Sequence, residues 1–166
     1  VEVTIHGLAA GGDAIGRDGA GRAVFVAGAA PGEQVRVAVT EAHARWARGE
    51  LRAIASPAPA RVTPTCALFA DGACGGCAWQ HVALATQAEA KQAIVAGALR
   101  RLISDGLALR PLATPVPALG WRWRARWSVR RGALGYHRPR SHDVVDVALC
   151  PQLTPALAAV LTAVRA

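Results

Sequence analysis

Four cysteines are the residues of this sequence best suited to chemistry. Cys74-Gly75-Gly76-Cys77 sets two thiols two residues apart, close enough to grip one metal centre, and the glycines let the backbone wrap tightly around it. Cys66 stands a short loop earlier, while Cys150, followed directly by Pro151, must be delivered by the fold. One four-sulfur site uses all four thiols. Spacing leaves zinc and an iron–sulfur cluster level, because both take thiolate ligands. A thioredoxin-like redox pair would want Cys74 and Cys77 opening a helix after a strand, which a glycine-rich loop does not promise. Next along the chain is Trp79-Gln80-His81. Gln80 and His81 are expected to fix the loop by hydrogen bonds, with His81 not needed as a ligand beside four thiolates.

Arginine supplies the second chemistry. The formal net charge is +8, and it is unevenly spread. Residues 1–60 hold six arginines and six acids, whereas 111–166 hold eight arginines against Asp143 and Asp146. Seven of those eight fall between Arg122 and Arg140 with no acid among them, which suits a polyanion surface. Arg122, Arg124 and Arg126 each offer a planar fork of donors to phosphate, unless they pair with Asp143 or Asp146 or support the metal centre. Arg138 belongs to the same basic stretch. Trp46 lies between Arg45 and Arg48, a mixture that fits base stacking with phosphate contact as well as ordinary packing.

Short glycine-punctuated strands are expected to carry the first of these groups. Val3 and Ile5, then 23–26, then Val35, Val37 and Val39, then Trp46 to Ile54 read as strands, with a loop from Gly11 to Gly16. So few strands with tight turns suggest a closed barrel, since an open sheet this small would expose its edges. Ser56-Pro57-Ala58-Pro59-Ala60 is a stiff connection, and the module boundary is placed there. Cys66 to Cys77 is a compact loop. From about Leu84 to Leu102 the period becomes helical, with Leu84, Ala88, Ile94 or Val95, Ala98 and Leu102 on one side. Asp105-Gly106 should end that helix, and a linker through Pro111, Pro115 and Pro117 should follow.

From Gly120 the parity predicts a strand with an aromatic face of Trp121, Trp123, Ala125, Trp127 and Val129, opposite a face of arginines. The tryptophans, on the apolar side, are expected in the core. Further strands are expected over 133–137 and 144–148. Thr154-Pro155 then starts a helix whose apolar stripe is Leu157, Val160, Leu161 and Val164. The chain stops inside that stripe, which hints at truncation. No apolar run is long enough for a membrane span, and the start lacks the pattern of a signal peptide. A cytoplasmic location is therefore expected, where four cysteines bind metal more often than they form disulfides.

Four landmarks in order carry a family likeness. They are Gly11-Gly12, Gly16, Phe25-Val26, Pro31-Gly32-Glu33, Ser56-Pro57 and Arg61-Val62; then Cys66 with Cys74-Gly75-Gly76-Cys77 and Trp79-Gln80-His81; then Gly120-Trp121-Arg122, Arg124-Ala125-Arg126, Gly135-Tyr136, Arg138, Ser141-His142 and Val144-Val145; and last Cys150-Pro151. In these the chain resembles the N-terminal part of the bacterial S-adenosylmethionine-dependent RNA (uracil-5-)-methyltransferases, in the iron–sulfur subgroup acting on large-subunit ribosomal RNA. The interval from Cys66 to Cys74 is longer than that family's usual spacing. Trp121 and Trp123 stand where tyrosine and asparagine are expected.

The resemblance implies a mainly β protein with helices: an OB-like TRAM β-barrel over 1–57, then an α+β central domain over 62–166. It implies truncation before a Rossmann-like methyltransferase domain. It also implies a [4Fe–4S] cluster on Cys66, Cys74, Cys77 and Cys150, and RNA, ribosomal by preference, as the partner; by their own chemistry Arg45, Trp46, Arg48, Arg122, Arg124, Arg126 and Arg138 are the residues expected to meet it. S-adenosylmethionine, the cysteine nucleophile and the carboxylate base would belong to the later domain, so no residue here is assigned a catalytic role. DNA and membrane partners are not expected, and a monomer is. The competing reading is a stand-alone RNA-binding protein with a structural zinc held by the four cysteines.

Overall fold

A computed structural model describes residues 1–100, 109–113 and 118–166. Five strands come first, β1 (Glu2–Leu8), β2 (Ala14–Arg17), β3 (Ala23–Val26), β4 (Gln34–Ala42) and β5 (Trp46–Ser56). Two helices follow, α1 (Ala67–Ala70) and α2 (Leu84–Leu99), then β6 (Ser128–Arg130), β7 (Ala133–His137), β8 (Val144–Asp146) and α3 (Pro155–Arg165). Contacts divide the chain into two compact units: Val1–Val62 with His81–Ala113, and Thr63–Gln80 with Thr114–Ala166. No helix among the described residues is long and apolar enough to cross a membrane.

In the first unit the strands close into a barrel in the order β1-β2-β3-β5-β4, with β4 returning to β1. The alternation that predicts strands also places the core. Val3, Ile5, Val24, Val26, Val35 and Val37 point inward while their neighbours face out. Closure at so small a radius needs glycine where strands approach closely. A Cβ on Gly16 would lie 2.5 Å from the Thr4 carbonyl oxygen, and one on Gly49 2.6 Å from that of Ala38. The segment expected as a loop over 11–16 holds the first three residues of β2, which is paired on both sides. Glycine spacing hides it, because Gly16 serves barrel closure and not a turn.

Beneath the barrel, Glu33 is fully buried and receives Arg61 as well as the Ala30 N–H, the latter at 2.8 Å. Arg61 also donates to the Gly28 carbonyl at 2.7 Å. The Pro31-Gly32-Glu33 turn and the Arg61-Val62 segment are thereby joined across 28 residues. Helix α2 belongs to this unit, and none of its residues is fully buried. The part of the expected apolar stripe that lies on α2, from Leu84 to Ala98, therefore does not seat in a core; its alanines give too little apolar area to demand one. Leu102, Asp105-Gly106, Pro115 and Pro117 lie outside the described residues.

The second unit holds the antiparallel sheet β6-β7-β8. Leu134, Val145, Val147, Leu153 and Leu161 form its core, with Trp127 packed against it. Thr154 caps α3 by accepting the Leu157 N–H at 3.4 Å. Of the stripe expected on α3, Leu161 is buried, while Val160 and Val164 are exposed. The strand expected from Gly120 is shorter than its sequence pattern, for only Ser128–Arg130 pairs with β7. Upstream, Arg122 alone makes a bridge, parallel to Leu153. Its N–H donates to the Gln152 carbonyl at 2.8 Å, and the Thr154 N–H donates to its carbonyl at 3.1 Å.

That single bridge overturns the expected two-faced strand. Arg122 faces inward, so Trp121 and Trp123 face outward, 45% and 77% exposed. The phase then slips. Arg124 and Arg126 are exposed, while Ala125 and Trp127 turn to the core. The tryptophans at 121 and 123 are thus not core residues, because 123–127 lack a paired strand to keep one parity along the segment.

Candidate functional site

The convergence expected of the cysteines takes place within the second unit. Cys66, Cys74, Cys77 and Cys150 line one partly open cavity together with Arg122, Tyr136 and Gln80. Each cysteine is partly buried and none is in a disulfide. Local backbone bonds set their positions. Cys66 stands at the start of α1, and the N–H groups of Ala73 and Cys74 both donate to the Leu68 carbonyl at 2.9 Å. The Gly75 N–H reaches the His137 carbonyl at 2.9 Å, tying the Cys74–Cys77 loop to β7. Cys150 follows β8, and its carbonyl accepts the Leu153 N–H at 3.2 Å in a tight turn.

Glycine is required in that loop by contact. A Cβ on Gly75 would stand 2.9 Å from the His137 oxygen, and one on Gly76 3.3 Å from the Tyr136 ring. The Gly76 N–H also points at the Cys74 sulfur, 3.4 Å away. Burial pushes the Cys74 thiol up, the other three cysteines add to that, and the Gly76 N–H opposes it. Burial likewise raises Cys77, against a hydrogen bond from the Gln80 side chain and the charge of Arg122. Gln80 thus fixes the loop as expected. His81 belongs to the first unit and instead bonds the Ala29 carbonyl within it at 3.0 Å.

Arg122 is the cation of the cavity. Its guanidinium donates to the Tyr136 hydroxyl and to the Gly76 carbonyl, both at 3.3 Å. Burial by itself would lower its pKa, yet Tyr136 and the nearby Cys77 and Cys150 leave it raised. Asp146 is taken by Arg165, so it pairs with none of the three arginines at 122, 124 and 126. Four soft cysteine sulfurs beside one arginine suit a thiophilic metal centre, whose binding would displace the thiol protons. Among the described residues, no group of three or more His, Cys, Asp or Glu is arranged to hold a single metal ion. Tyr136 gives no sign in sequence of belonging to this wall; only the β7 pairing brings it beside the cysteine loop.

On the barrel, Ala23, Phe25, Trp46 and Arg48 line an open depression. Parallel pairing of β3 with β5 sets Ala23 beside Trp46 and Phe25 beside Arg48. Phe25 meets Trp46 edge-on with centroids 6.3 Å apart, His43 stacks on Trp46 at 4.1 Å, and the Arg48 guanidinium lies 5.8 Å from the Trp46 ring centroid. Arg45 is exposed beside them. Phe25 carries no signal in sequence of this placement, because the parallel β3–β5 pairing is non-local, whereas His43 meets Trp46 across the short β4–β5 turn, where its N–H donates to the Trp46 carbonyl at 2.8 Å. Arg138, in the second unit, is exposed, and its N–H donates to the Asp143 carbonyl at 2.9 Å.

The TRAM domain family model matches residues 1–51. The chain is 36% identical, over 99% of its length, to the 23S rRNA (uracil(1939)-C(5))-methyltransferase RlmD of Cronobacter sakazakii, of which it covers 37%. An uncharacterized RNA methyltransferase of Thermosynechococcus vestitus shows the same 36% identity over 99% of the chain and 37% of that protein. Among solved structures, the tRNA (uracil-54, C5)-methyltransferase of Pyrococcus abyssi, in complex with S-adenosyl-L-homocysteine, superposes with a TM-score of 0.67 at 21% identity. That match covers 99% of this chain and 35% of that one, and it establishes a shared fold. The chain spans little more than a third of the relatives it matches.

Proposed function

Because the chain is homologous to the N-terminal TRAM and central region of the bacterial RlmD-like 23S rRNA (uracil-5)-methyltransferase family, we propose that it is the RNA-binding and substrate-presenting portion of such an enzyme. The observation that supports it best is the meeting of four cysteines from three separated segments around one cavity. In this reading residues 1–57 are the RNA-binding barrel and 62–166 the cluster-bearing region. The whole enzyme is cytoplasmic and monomeric, and methylates C5 of a uridine in ribosomal RNA.

The cavity is proposed to hold a [4Fe–4S] cluster on Cys66, Cys74, Cys77 and Cys150. A single zinc needs its four thiolates roughly 3.8 Å apart, from Zn–S bonds of about 2.3 Å. Four cysteines lining one cavity supply the thiolate set that either centre takes, and the likeness to the RlmD-like methyltransferases favours the cluster. When bound, the cluster would clip the 66–77 loop to the turn at Cys150, a structural gain that needs no redox change. Arg122 is assigned to balance the thiolate charge, held in place by Tyr136 and Gly76. RNA contact is assigned to Arg45, Trp46, Arg48, Arg124, Arg126 and Arg138. In the complete enzyme a cysteine from outside these residues would add to C6 of uracil. C5 would then take the methyl group of S-adenosylmethionine, releasing S-adenosylhomocysteine, and a carboxylate would remove the C5 proton as the cysteine leaves C6 and the C5–C6 double bond returns.

Anaerobic purification of the 166-residue chain followed by metal and sulfide analysis tests the cluster. About four iron and four sulfide per chain, with broad visible absorbance, are expected. One zinc per chain and no sulfide would replace the cluster by the structural zinc site. Fluorescence anisotropy with a labelled 23S rRNA stem–loop tests the presenting role, which fails if no salt-sensitive binding is seen.

A further inference from the structure

The observation that the proposed function leaves unused is the outward pair of tryptophans. Trp121 is 45% and Trp123 77% exposed on the second unit. Large exposed apolar side chains grouped together mark an interaction surface. These two are not a loose end of chain. The Arg122 backbone is pinned on both sides, to Gln152 and to Thr154, and its guanidinium is engaged at the cysteine cavity. With residue 122 committed inward, extended geometry sends residues 121 and 123 outward.

Resting on the RNA-binding reading above, we infer that Trp121 and Trp123 form a base-stacking platform for single-stranded RNA, presented outward by the inward anchoring of Arg122. Charge selects this occupant. Arg124 and Arg126 are exposed immediately beyond Trp123, and no acid occurs from Arg122 to Arg140. An exposed aromatic followed by exposed guanidinium groups is what successive bases and phosphates of one strand require. The Arg122 guanidinium lies 5.6 Å from the Trp121 ring centroid and 5.7 Å from that of Tyr136, so one cation links the platform to the cavity wall.

The test is anisotropy of a labelled twelve-nucleotide oligouridylate with the 166-residue chain, comparing the unsubstituted protein with Trp123→Ala and Trp123→Phe at several salt concentrations. Loss of one stacked base is expected to weaken binding about 5- to 150-fold in Trp123→Ala. The salt slope should stay unchanged, because stacking releases no counterions. Trp123→Phe should recover most of the affinity, which also controls for misfolding. Unchanged affinity in Trp123→Ala while the unsubstituted chain binds would overturn the platform and leave the RNA-binding role standing. Absence of binding by the unsubstituted chain would overturn both. Self-association of the chain in sedimentation, abolished by Trp123→Ala with RNA affinity intact, would assign the face to a second copy instead.

Discussion

The guanidinium of Arg61 lies against the carboxylate of Glu33, Nη2 2.9 Å from Oε2, although Glu33 has no exposed surface. Burial pushes the Glu33 carboxyl up, but Arg61 and the Ala30 N–H more than offset it and hold it below its ordinary 4.5. A depressed carboxylate contributes stability above its unfolded pKa and loses it as the pH falls through the folded value. Arg61→Met would strand a buried charge and is expected to cost about 3–5 kcal/mol at neutral pH. The gap from the unsubstituted protein should narrow toward pH 4, where the stranded carboxyl can protonate. Urea unfolding at both pH values checks this; a gap that is equal at both would show that Arg61 does not hold the charge of Glu33.

That pair also shows what the sequence can convey. Pro31-Gly32-Glu33 and Arg61-Val62 are recognisable as landmarks, but their reason, a buried ion pair, depends on a meeting across 28 residues. Local alternation at Val3, Ile5, Val35 and Val37 reveals strands directly, since one face of each enters the core. Cysteine count and the Cys74–Cys77 spacing point to one site, and the fold delivers Cys150 to it. Trp121 and Trp123 defeat the sequence reading because period-2 arithmetic assumes an unbroken strand. A bridge at Arg122 followed by a slip before Ala125 leaves no fixed parity. Phe25 beside Arg48 rests on the parallel β3–β5 pairing, for which no local pattern exists.

Two substitutions should separate ligation from loop shape at the cavity. Cys150→Ser removes a thiolate from the segment most distant in sequence, so iron and sulfide should fall to a small fraction of the unsubstituted content. Gly75→Ala leaves all four thiols but places a methyl group 2.9 Å from the His137 oxygen, a backbone atom that cannot swing aside. Iron content should fall about as far, with the Cys74–Cys77 loop displaced from β7. Full iron occupancy in Gly75→Ala would mean that the loop adjusts and that its tie to His137 does not shape the site.

Arg124 and Arg126 are exposed, whereas Arg122 is engaged by Tyr136 and Gly76. Replacing Arg124 or Arg126 with alanine should therefore lower the salt dependence of RNA binding by about 0.7 per lost phosphate contact on a single strand. Arg122→Lys should leave that slope unchanged but reduce iron retention, since an ammonium cannot reach both acceptors with a planar fork. Slopes measured by anisotropy across salt concentrations decide it. A lower slope for Arg122→Lys with intact iron would move Arg122 to the RNA side.

Arg165, at the end of α3, forks onto Asp146 of β8 with bonds of 2.6 and 2.7 Å, and Asp146 also accepts the Leu134 N–H at 3.0 Å. The Arg165 hydrogen bond first, and the Leu134 N–H second, lower Asp146 from 3.8 to about 2. A carboxylate depressed in this way adds stability that is complete above its unfolded value and disappears as the pH falls from about 4 to about 2. Asp146→Asn keeps the shape and one acceptor but loses the charge, so its melting temperature should lie below that of the unsubstituted protein at pH 7. The two should draw together as the pH falls toward 2 and below, where the native side chain becomes protonated as well. Acid loss of bound metal would shift both proteins together, so the difference between them isolates this pair. A difference that persists undiminished into acid would mean that the carboxylate's charge does not join α3 to β8, and that only its shape and its bond to Leu134 matter there.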